Sequence, residues 1–279
     1  MIFKKVIFLV LIHTFLVSIA FSCIFPVLWM LNSSFKENLE FISDFGLKFP
    51  ERLDFKNFLF AWRQGKLARY FLNSILYTLV GVMGVVIVTS WAGYAFSRLE
   101  FPGKNLFFSF FLAAMMIPIP AGFVPLYIIL TKMFKIGLLT PRLGYLLAMI
   151  NVNLSLSIYL YKTFFDKLPT DLEDQARIDG CTKLGIWWHV ALPLARPATG
   201  VVSITSALWI WNEFVLASLI LPPKALPLQA GLMRFQGEYI GNFTNIMAGI
   251  TIAFLPIVII YLFFQRHIIK GLTTGAVVG

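Results

Sequence analysis

Six long apolar stretches dominate this chain, and each is long enough to cross a lipid bilayer as a helix. The hydrocarbon core of a bilayer takes about 20 apolar residues of α-helix. Because backbone polar groups in lipid must bond within their own segment, these runs predict an all-α membrane protein, a single transmembrane domain over residues 1–279. The stretches cover residues 6–31, 70–96, 106–130, 143–165, 197–221 and 246–264.

Charge is scarce and its placement argues against a nucleic-acid ligand. Only 13% of the 279 residues are charged, against about 25% in soluble domains. The net charge is +10, but the basic residues stand beside apolar runs, where anionic lipid headgroups explain them better than nucleic acid does. Two cysteines, Cys23 and Cys181, give no disulfide framework.

The first and third stretches each need a choice between two structures. The first far exceeds the roughly 7–15 apolar residues of a signal peptide, so we expect a retained membrane helix. The third contains Pro118, Pro120 and Pro125, which predict a helix kinked or broken midway, with a re-entrant segment as the alternative.

Orientation does not follow from charge alone. With the N-terminus inside, eleven basic residues lie inside and twelve outside, and seven of those twelve fall in segment 32–69. The positive-inside rule therefore predicts no orientation when that segment is counted. Its mixture of charge and aromatic residues suggests chain lying on the membrane surface; an ordinary surface loop and a partner-binding one both stay open.

Segment 166–196 is a polar loop with the marks of two short helices. Thr170 and Glu173 predict a capping box, and Gly180 a left-handed end to the first helix. A second helix is expected from about Lys183 to Leu192. The loop either grips a soluble partner or rests on the headgroups. The expected apolar contacts are Leu172, Ala176, Ile178, Leu184, Ile186, Trp187 and Trp188.

Four motifs give the chain a family resemblance. Asp174-Gln175-Ala176, three residues, Gly180, nine residues, Val190, one residue and Leu192-Pro193 resemble the signature of ATP-binding-cassette (ABC) importer permeases. That signature usually has Glu at the position of Asp174 and Ala at that of Gln175. The turn 93–104, Trp211-Asn212-Glu213-Phe214 and the C-terminal Gly271, Leu272, Thr273 and Gly275 resemble further motifs of the sugar-type permeases, which are related to the maltose transporter.

This resemblance implies a type I importer permease with six spans and cytoplasmic termini, in the cytoplasmic membrane of a bacterium or archaeon. Its partners would be a homologous permease in a heterodimer, two ATPase subunits, an extracellular solute-binding protein and a carbohydrate. The C-terminal motif would reach toward the ATPase. The loop residues implied in ATPase coupling are Thr170, Leu172, Glu173, Asp174, Gln175, Ala176, Asp179, Gly180, Val190, Leu192 and Pro193.

No motif for catalysis or nucleotide binding is present. The sequence has no phosphate-binding G-x-x-x-x-G-K-[ST] loop, and its three histidines lack metal-ligand spacing. We therefore expect no enzyme activity and no cofactor in this chain, with ATP and magnesium bound by the partner ATPase. A membrane-bound transferase is poorly supported for the same reason.

Polar residues inside the apolar stretches are candidates for the transport pathway. Glu213 is an acid deep in the fifth stretch, and intramembrane acids are functional candidates or packing carboxylates paired with a neighbouring helix. Asn151, Asn153 and Ser155 either line a sugar path or hold helices together by hydrogen bonds. Trp211 and Asn212 join Glu213 as possible pathway or partner-permease contacts.

Two other transporter classes remain as alternatives. A secondary transporter would be expected to show internal repeats and paired broken helices, whereas only the third stretch looks broken. An ABC permease for a non-sugar solute, such as a glycerol phosphate, an amino acid or a metal, shares the loop signature. The turn 98–104 and the tail 271–275 favour the sugar branch.

Overall fold

The computed structural model describes the backbone of residues 2–276 and the side chains of residues 6–118, 121–260 and 262. Every regular element in this described part is helical. A π-helical turn at Trp187–Ala191 and a 3₁₀ turn at Pro223–Ala225 accompany fourteen α-helices. These are α1 (Ile2–Ser34), α2 (Asn38–Asp44), α3 (Lys56–Arg63), α4 (Leu67–Arg98), α5 (Lys104–Ala114), α6 (Ile119–Lys135), α7 (Pro141–Asp166), α8 (Asp171–Ile178), α9 (Lys183–Ile186), α10 (Leu192–Leu194), α11 (Arg196–Asn212), α12 (Val215–Ile220), α13 (Leu228–Glu238) and α14 (Phe243–Ala276).

In the described part of the chain, four helices are long and apolar enough to cross a membrane. They are α1, α4, α7 and α14, and they coincide with the first, second, fourth and sixth apolar stretches. Each run lacks the closely spaced prolines of the third stretch. The single prolines inside α1 (Pro26) and α14 (Pro256) each remove one i→i−4 bond, and the helix continues past them. The predicted all-α membrane architecture is confirmed.

The third apolar stretch is broken, as its prolines predict. Helix α5 ends at Ala114 and α6 begins at Ile119. Pro118 between them has an extended backbone, with ψ at 126°. A proline cannot donate the backbone hydrogen bond that would continue the preceding helix. The single 25-residue span therefore becomes two shorter helices.

The fifth stretch is also broken, and here the expectation of one continuous span over 197–221 is wrong. Helix α11 ends at Asn212, Glu213 is extended with ψ at 130°, and α12 starts at Val215. The Glu213 carboxylate accepts the backbone N–H groups of Leu216 at 2.6 Å and Ala217 at 3.2 Å. The acid thus satisfies donors that a helix start leaves free, which stabilises the break.

One compact unit comprises the chain up to Ala68 together with Gly231–Pro256. Within it Lys36 is fully buried and forms an ion pair with Asp44. The hydrogen bond from Lys36 lowers the pKa of the Asp44 carboxyl despite the opposing effect of burial. The Asn57 amide donates to the carbonyl oxygens of Ser34 at 3.0 Å and Lys36 at 2.7 Å. Polar bonds therefore fold segment 32–69 against the end of α1.

Aromatic side chains of the same segment divide into two groups. Phe35 packs against Phe55 and Phe58 at ring-centroid distances of 5.2 Å and 5.1 Å. Phe45 and Phe49, by contrast, are 71% and 91% exposed. Only the exposed aromatic side chains of this segment are therefore available to contact a membrane surface or a partner.

The second compact unit comprises Arg69–Ala230 and Ile257–Gly279. Within it α4, α7 and α11 pack closely. A Cβ atom on Gly93 of α4 would lie 2.6 Å from the Tyr161 Cβ of α7, so only glycine permits this approach. The Tyr161 hydroxyl donates to the Thr199 Oγ1 of α11 at 2.9 Å. These contacts hold together the helix ends next to loop 166–196.

Candidate functional site

Loop 166–196 folds into two short helical arms joined by a tight turn. The first arm is α8 and the second runs through α9, the π-helical turn and α10. Gly180 has φ at +83°, and the N–H groups of Cys181 and Gly180 donate to the carbonyls of Ala176 and Arg177. This paired pattern is the Schellman ending of a helix. The predicted left-handed end at Gly180 is confirmed.

The start of α8 differs from the predicted capping box. Thr170 has a helical backbone, with φ −72° and ψ −23°, and its hydroxyl makes no capping bond. An N-cap residue usually has an extended backbone that aims its oxygen at the N3 donor, which this geometry prevents. The Glu173 carboxylate is also engaged elsewhere. The capping-box prediction for Thr170 and Glu173 is therefore wrong.

Glu173 instead forms a buried ion pair with α4. Its Oε1 lies 2.7 Å from the Arg98 Nε, and the two side chains are 7% and 14% exposed. The Tyr94 hydroxyl donates to Glu173 Oε2 at 3.0 Å. The Arg98 Nη2 also donates to the Leu168 carbonyl at 2.7 Å. We call Tyr94, Arg98, Leu168 and Glu173 the clamp; it binds the start of α8 to the end of α4.

Apolar packing supports the loop beside the clamp. Ala176, Ile186, Trp187 and Ala191 are buried in one cluster with side chains of α4, α7 and α11. Val190 and Leu192 are partly buried against the same cluster, and Pro193 is exposed. Three of the seven predicted apolar contacts are thus buried. One face of the loop is fixed to the helix ends.

The other face of the loop is open. The other four predicted apolar contacts are exposed, although the Trp188 ring lies 5.4 Å from that of Trp187 within the loop. Asp174 and Arg177 form an exposed pair at 3.1 Å, and Gln175 and Asp179 are exposed as well. We call the residues of this face the outer loop surface: Leu172, Asp174, Gln175, Ile178, Leu184 and Trp188.

Polar residues of α7 lie on two different faces. Asn151 and Ser155 line a cavity of about 490 Å³ together with side chains of α5 and α6. Asn153 is buried instead, and its amide donates to the Met149 carbonyl of its own helix at 2.8 Å. The spacing of four residues between Asn151 and Ser155 places both on one helical face. Because they line a cavity, Asn151 and Ser155 remain candidates for the transport pathway.

The remaining predicted site residues occupy separate positions. Trp211 is buried with its ring against Phe71, while Asn212 is exposed and donates to the Leu208 carbonyl. Glu213 caps α12, as described above. The side chains of Gly271, Leu272, Thr273 and Gly275 lie outside the described residues. Among the described residues, no group of His, Cys, Asp and Glu side chains is arranged to hold a metal ion.

The clamp partners of Glu173 are the residues that sequence reasoning missed. Tyr94 and Arg98 lie 79 and 75 residues from Glu173 in the chain. Local patterns such as capping boxes cannot reveal a pair so distant. The only signal was the motif 93–104, which contains both residues but assigns no partner to either.

Comparisons with known proteins agree on one family. Residues 87–274 match the family described as binding-protein-dependent transport system inner membrane component. The chain is 32% identical over 271 residues to the probable ABC transporter permease protein YurM of Bacillus subtilis, covering 97% of this chain and 87% of that one. It is 31% identical over 261 residues to the arabinooligosaccharides transport system permease protein AraQ of Bacillus subtilis, covering 92% and 91%.

A solved structure has the same fold. It is the crystal structure of a bacterial ABC transporter involved in the import of the acidic polysaccharide alginate. The alignment has a TM-score of 0.81 at 24% identity and covers 94% of this chain and 97% of that chain. Similarity at this level of identity concerns the fold.

Proposed function

Because the chain belongs to the family of binding-protein-dependent transport system inner membrane components, we propose that it is a permease subunit of an ABC importer for an oligosaccharide. The names of relatives such as AraQ support the carbohydrate class. We propose that residues 1–279 form one permease domain. Its proposed partners are a homologous permease, two ATPase subunits that bind ATP and magnesium, and an extracellular solute-binding protein.

The observation that carries this proposal is the loop 166–196, fixed on one face and open on the other. A soluble subunit has an exposed surface of apolar and acidic groups to bind, and the buried face connects that surface to α4, α7 and α11. ATP-driven closure of the ATPases would draw two such loops together and shift the helices between inward-open and outward-open states. The permease contributes no chemistry of its own.

We propose six membrane-spanning segments with both termini and loop 166–196 in the cytoplasm. Four segments are the long helices, and the broken pairs α5–α6 and α11–α12 supply the other two. Non-helical backbone at membrane depth is tolerated only where protein covers it or water fills a cavity beside it. The cavity lined by Asn151 and Ser155 lies against α5 and α6, which supports placing the solute path there.

An affinity pull-down of the tagged chain from its native membranes, after mild cross-linking, tests the assembly. Mass spectrometry should recover an ATPase, a second permease and a solute-binding protein, and the ligand of that binding protein identifies the solute. A non-carbohydrate ligand such as a glycerol phosphate would overturn the carbohydrate assignment alone. Recovery of the chain without any ATPase would contradict the importer and favour a secondary transporter.

Reversing the charge at Asp174 should weaken ATPase binding. The Asp174 side chain is 58% exposed in the first turn of α8, so lysine there fits sterically but opposes the helix dipole and changes the outer loop surface. We expect Asp174→Lys to reduce recovery of the ATPase about fivefold, equivalent to about 1 kcal/mol. The measurement is co-purification at a fixed amount of permease.

The matched control for Asp174 is Glu100→Lys. Glu100 is an exposed acid, 90% accessible, that pairs with Lys104 just after α4. Its reversal should leave ATPase recovery unchanged. Equal recovery from the Asp174→Lys variant and the unaltered chain would contradict a docking role for this position.

A further inference from the structure

We propose that Glu173 and Arg98 are positioning residues that transmit motion from α8, the helix that would bind the ATPase, to the membrane helix α4. This inference rests on the proposed function, because it assumes that an ATPase moves α8. It assigns a different task to neighbouring residues of one short helix. Asp174 and Gln175 are exposed on the outer loop surface, whereas Glu173 is buried and fixes α8 to the end of α4.

The clamp fixes orientation as well as distance. Arg98 binds Glu173 through Nε and the Leu168 carbonyl through Nη2, so one planar guanidinium holds one point just before α8 and one point within it. The Tyr94 hydroxyl holds the second carboxylate oxygen of Glu173. Rotation of α8 about any one bond would break the others. A displacement of α8 therefore displaces the end of α4 as well.

A purely stabilising role explains this ion pair poorly. Buried ion pairs lose solvation on folding and are often no better for stability than apolar residues of similar volume. Apolar packing is already available here, since Ala176 and Trp187 are buried next to the clamp. What the charged pair adds is direction, because its strength depends on a narrow alignment of donor and acceptor.

The end of α4 is tied in turn to the end of α7. The Ser97 hydroxyl donates to Asp166 Oδ1 at 2.7 Å, and Lys162 bonds Asp166 Oδ2 at 2.7 Å. Helix α7 leads directly into the loop through residues 167–170. We infer that α4 and α7 therefore both move with α8, and that Glu173 is the charged link from α8 to α4, the one of these two helices that is distant in sequence.

The test separates docking from transmission in the complete importer, reconstituted in lipid vesicles with its binding protein. Glu173→Gln keeps the shape of the side chain and removes its charge. We expect ATPase co-purification to be unchanged. Solute uptake should fall about tenfold, a size typical of coupling between two sites. ATP hydrolysis should fall less, so that more ATP is consumed per solute imported.

Two further variants test the same role of Glu173 and Arg98 if Glu173→Gln folds poorly. Tyr94→Phe removes a single hydrogen bond and should raise the ATP consumed per solute to a smaller extent. The double variant Glu173→Arg with Arg98→Glu restores opposite charges and should recover part of the uptake lost in either single variant. Glu100→Gln, which removes an exposed acid beside the same helix end, should behave like the unaltered chain.

Different results overturn different claims. Unchanged uptake and ATP consumption in Glu173→Gln and Tyr94→Phe would overturn the transmission role. Loss of the ATPase from Glu173→Gln would make Glu173 a docking residue and overturn it as well. Absence of an ATPase from the unaltered chain would instead overturn the proposed function itself.

Discussion

Replacing Gly180 by valine should reduce solute uptake about tenfold while the permease still reaches the membrane. Gly180 has φ at +83°, and nothing lies within 4 Å of the position its Cβ would occupy. The valine side chain therefore has space, and the effect of the substitution comes from the left-handed backbone conformation. A β-branched residue held in this conformation stores roughly 1–3 kcal/mol of strain. Relief of that strain would reorient the two arms of the loop and displace the outer loop surface.

Two controls separate the turn at Gly180 from general damage. Gly180→Asn should retain most of the uptake, because asparagine enters the left-handed region more readily than other residues with a side chain. Gly137→Val places the same strain at φ +72°, also without a neighbour within 4 Å, in the turn between α6 and α7. Uptake should be measured at equal membrane levels. Equal losses in Gly137→Val and Gly180→Val would contradict a specific role for the loop.

A Gly93→Ala permease should be poorly folded, with a severalfold lower membrane level and a lower Tm in detergent. The added methyl carbon would lie 2.6 Å from the Tyr161 Cβ and 3.0 Å from the Lys162 backbone nitrogen. Neither atom can rotate away, so α4 and α7 must separate. Overpacking of this kind costs about 1–3 kcal/mol. Tyr94 and Arg98, which follow on α4, would shift with it.

Gly84→Ala on the same helix is the matched control. Its Cβ would lie 2.5 Å from the Ile150 Cδ1, which is the free end of a flexible side chain. A rotamer change relieves that contact, and alanine is favoured over glycine in a helix by roughly 0.5–1 kcal/mol. Thermal unfolding and membrane level should therefore stay close to those of the unaltered chain. A Gly93→Ala variant as stable as Gly84→Ala would contradict the close packing of α4 on α7.

Features encoded locally were predictable from the sequence. The four long helices follow from uninterrupted apolar runs, and the break before Ile119 follows from Pro118. Gly180 marked the end of α8 because the left-handed conformation favours glycine. Each of these features depends on residues within a few positions of one another, which a single sequence displays directly.

Features that depend on distant partners were not predictable. Glu173 has the spacing of a capping box with Thr170, but Arg98, far away in the chain, offers a stronger charged bond. The break at Glu213 occurs without proline or glycine in an apolar run. Its cause is a carboxylate that turns back to bind N–H groups three and four residues later. An acid in such a run suggests function, and nothing in the local pattern reveals a cap.

Helix α1 divides into two parts with different tolerance of change. None of the side chains from Val6 to Asn32 is buried within the chain, whereas Ser33 and Ser34 at the end of the helix and Lys36 just beyond it are fully buried. For the fold of this chain, the first part needs only to be hydrophobic. In homologous chains its positions should exchange often among Leu, Ile, Val and Phe, while positions from Asn32 onward should change slowly. The rate of evolution would then change abruptly along one continuous helix.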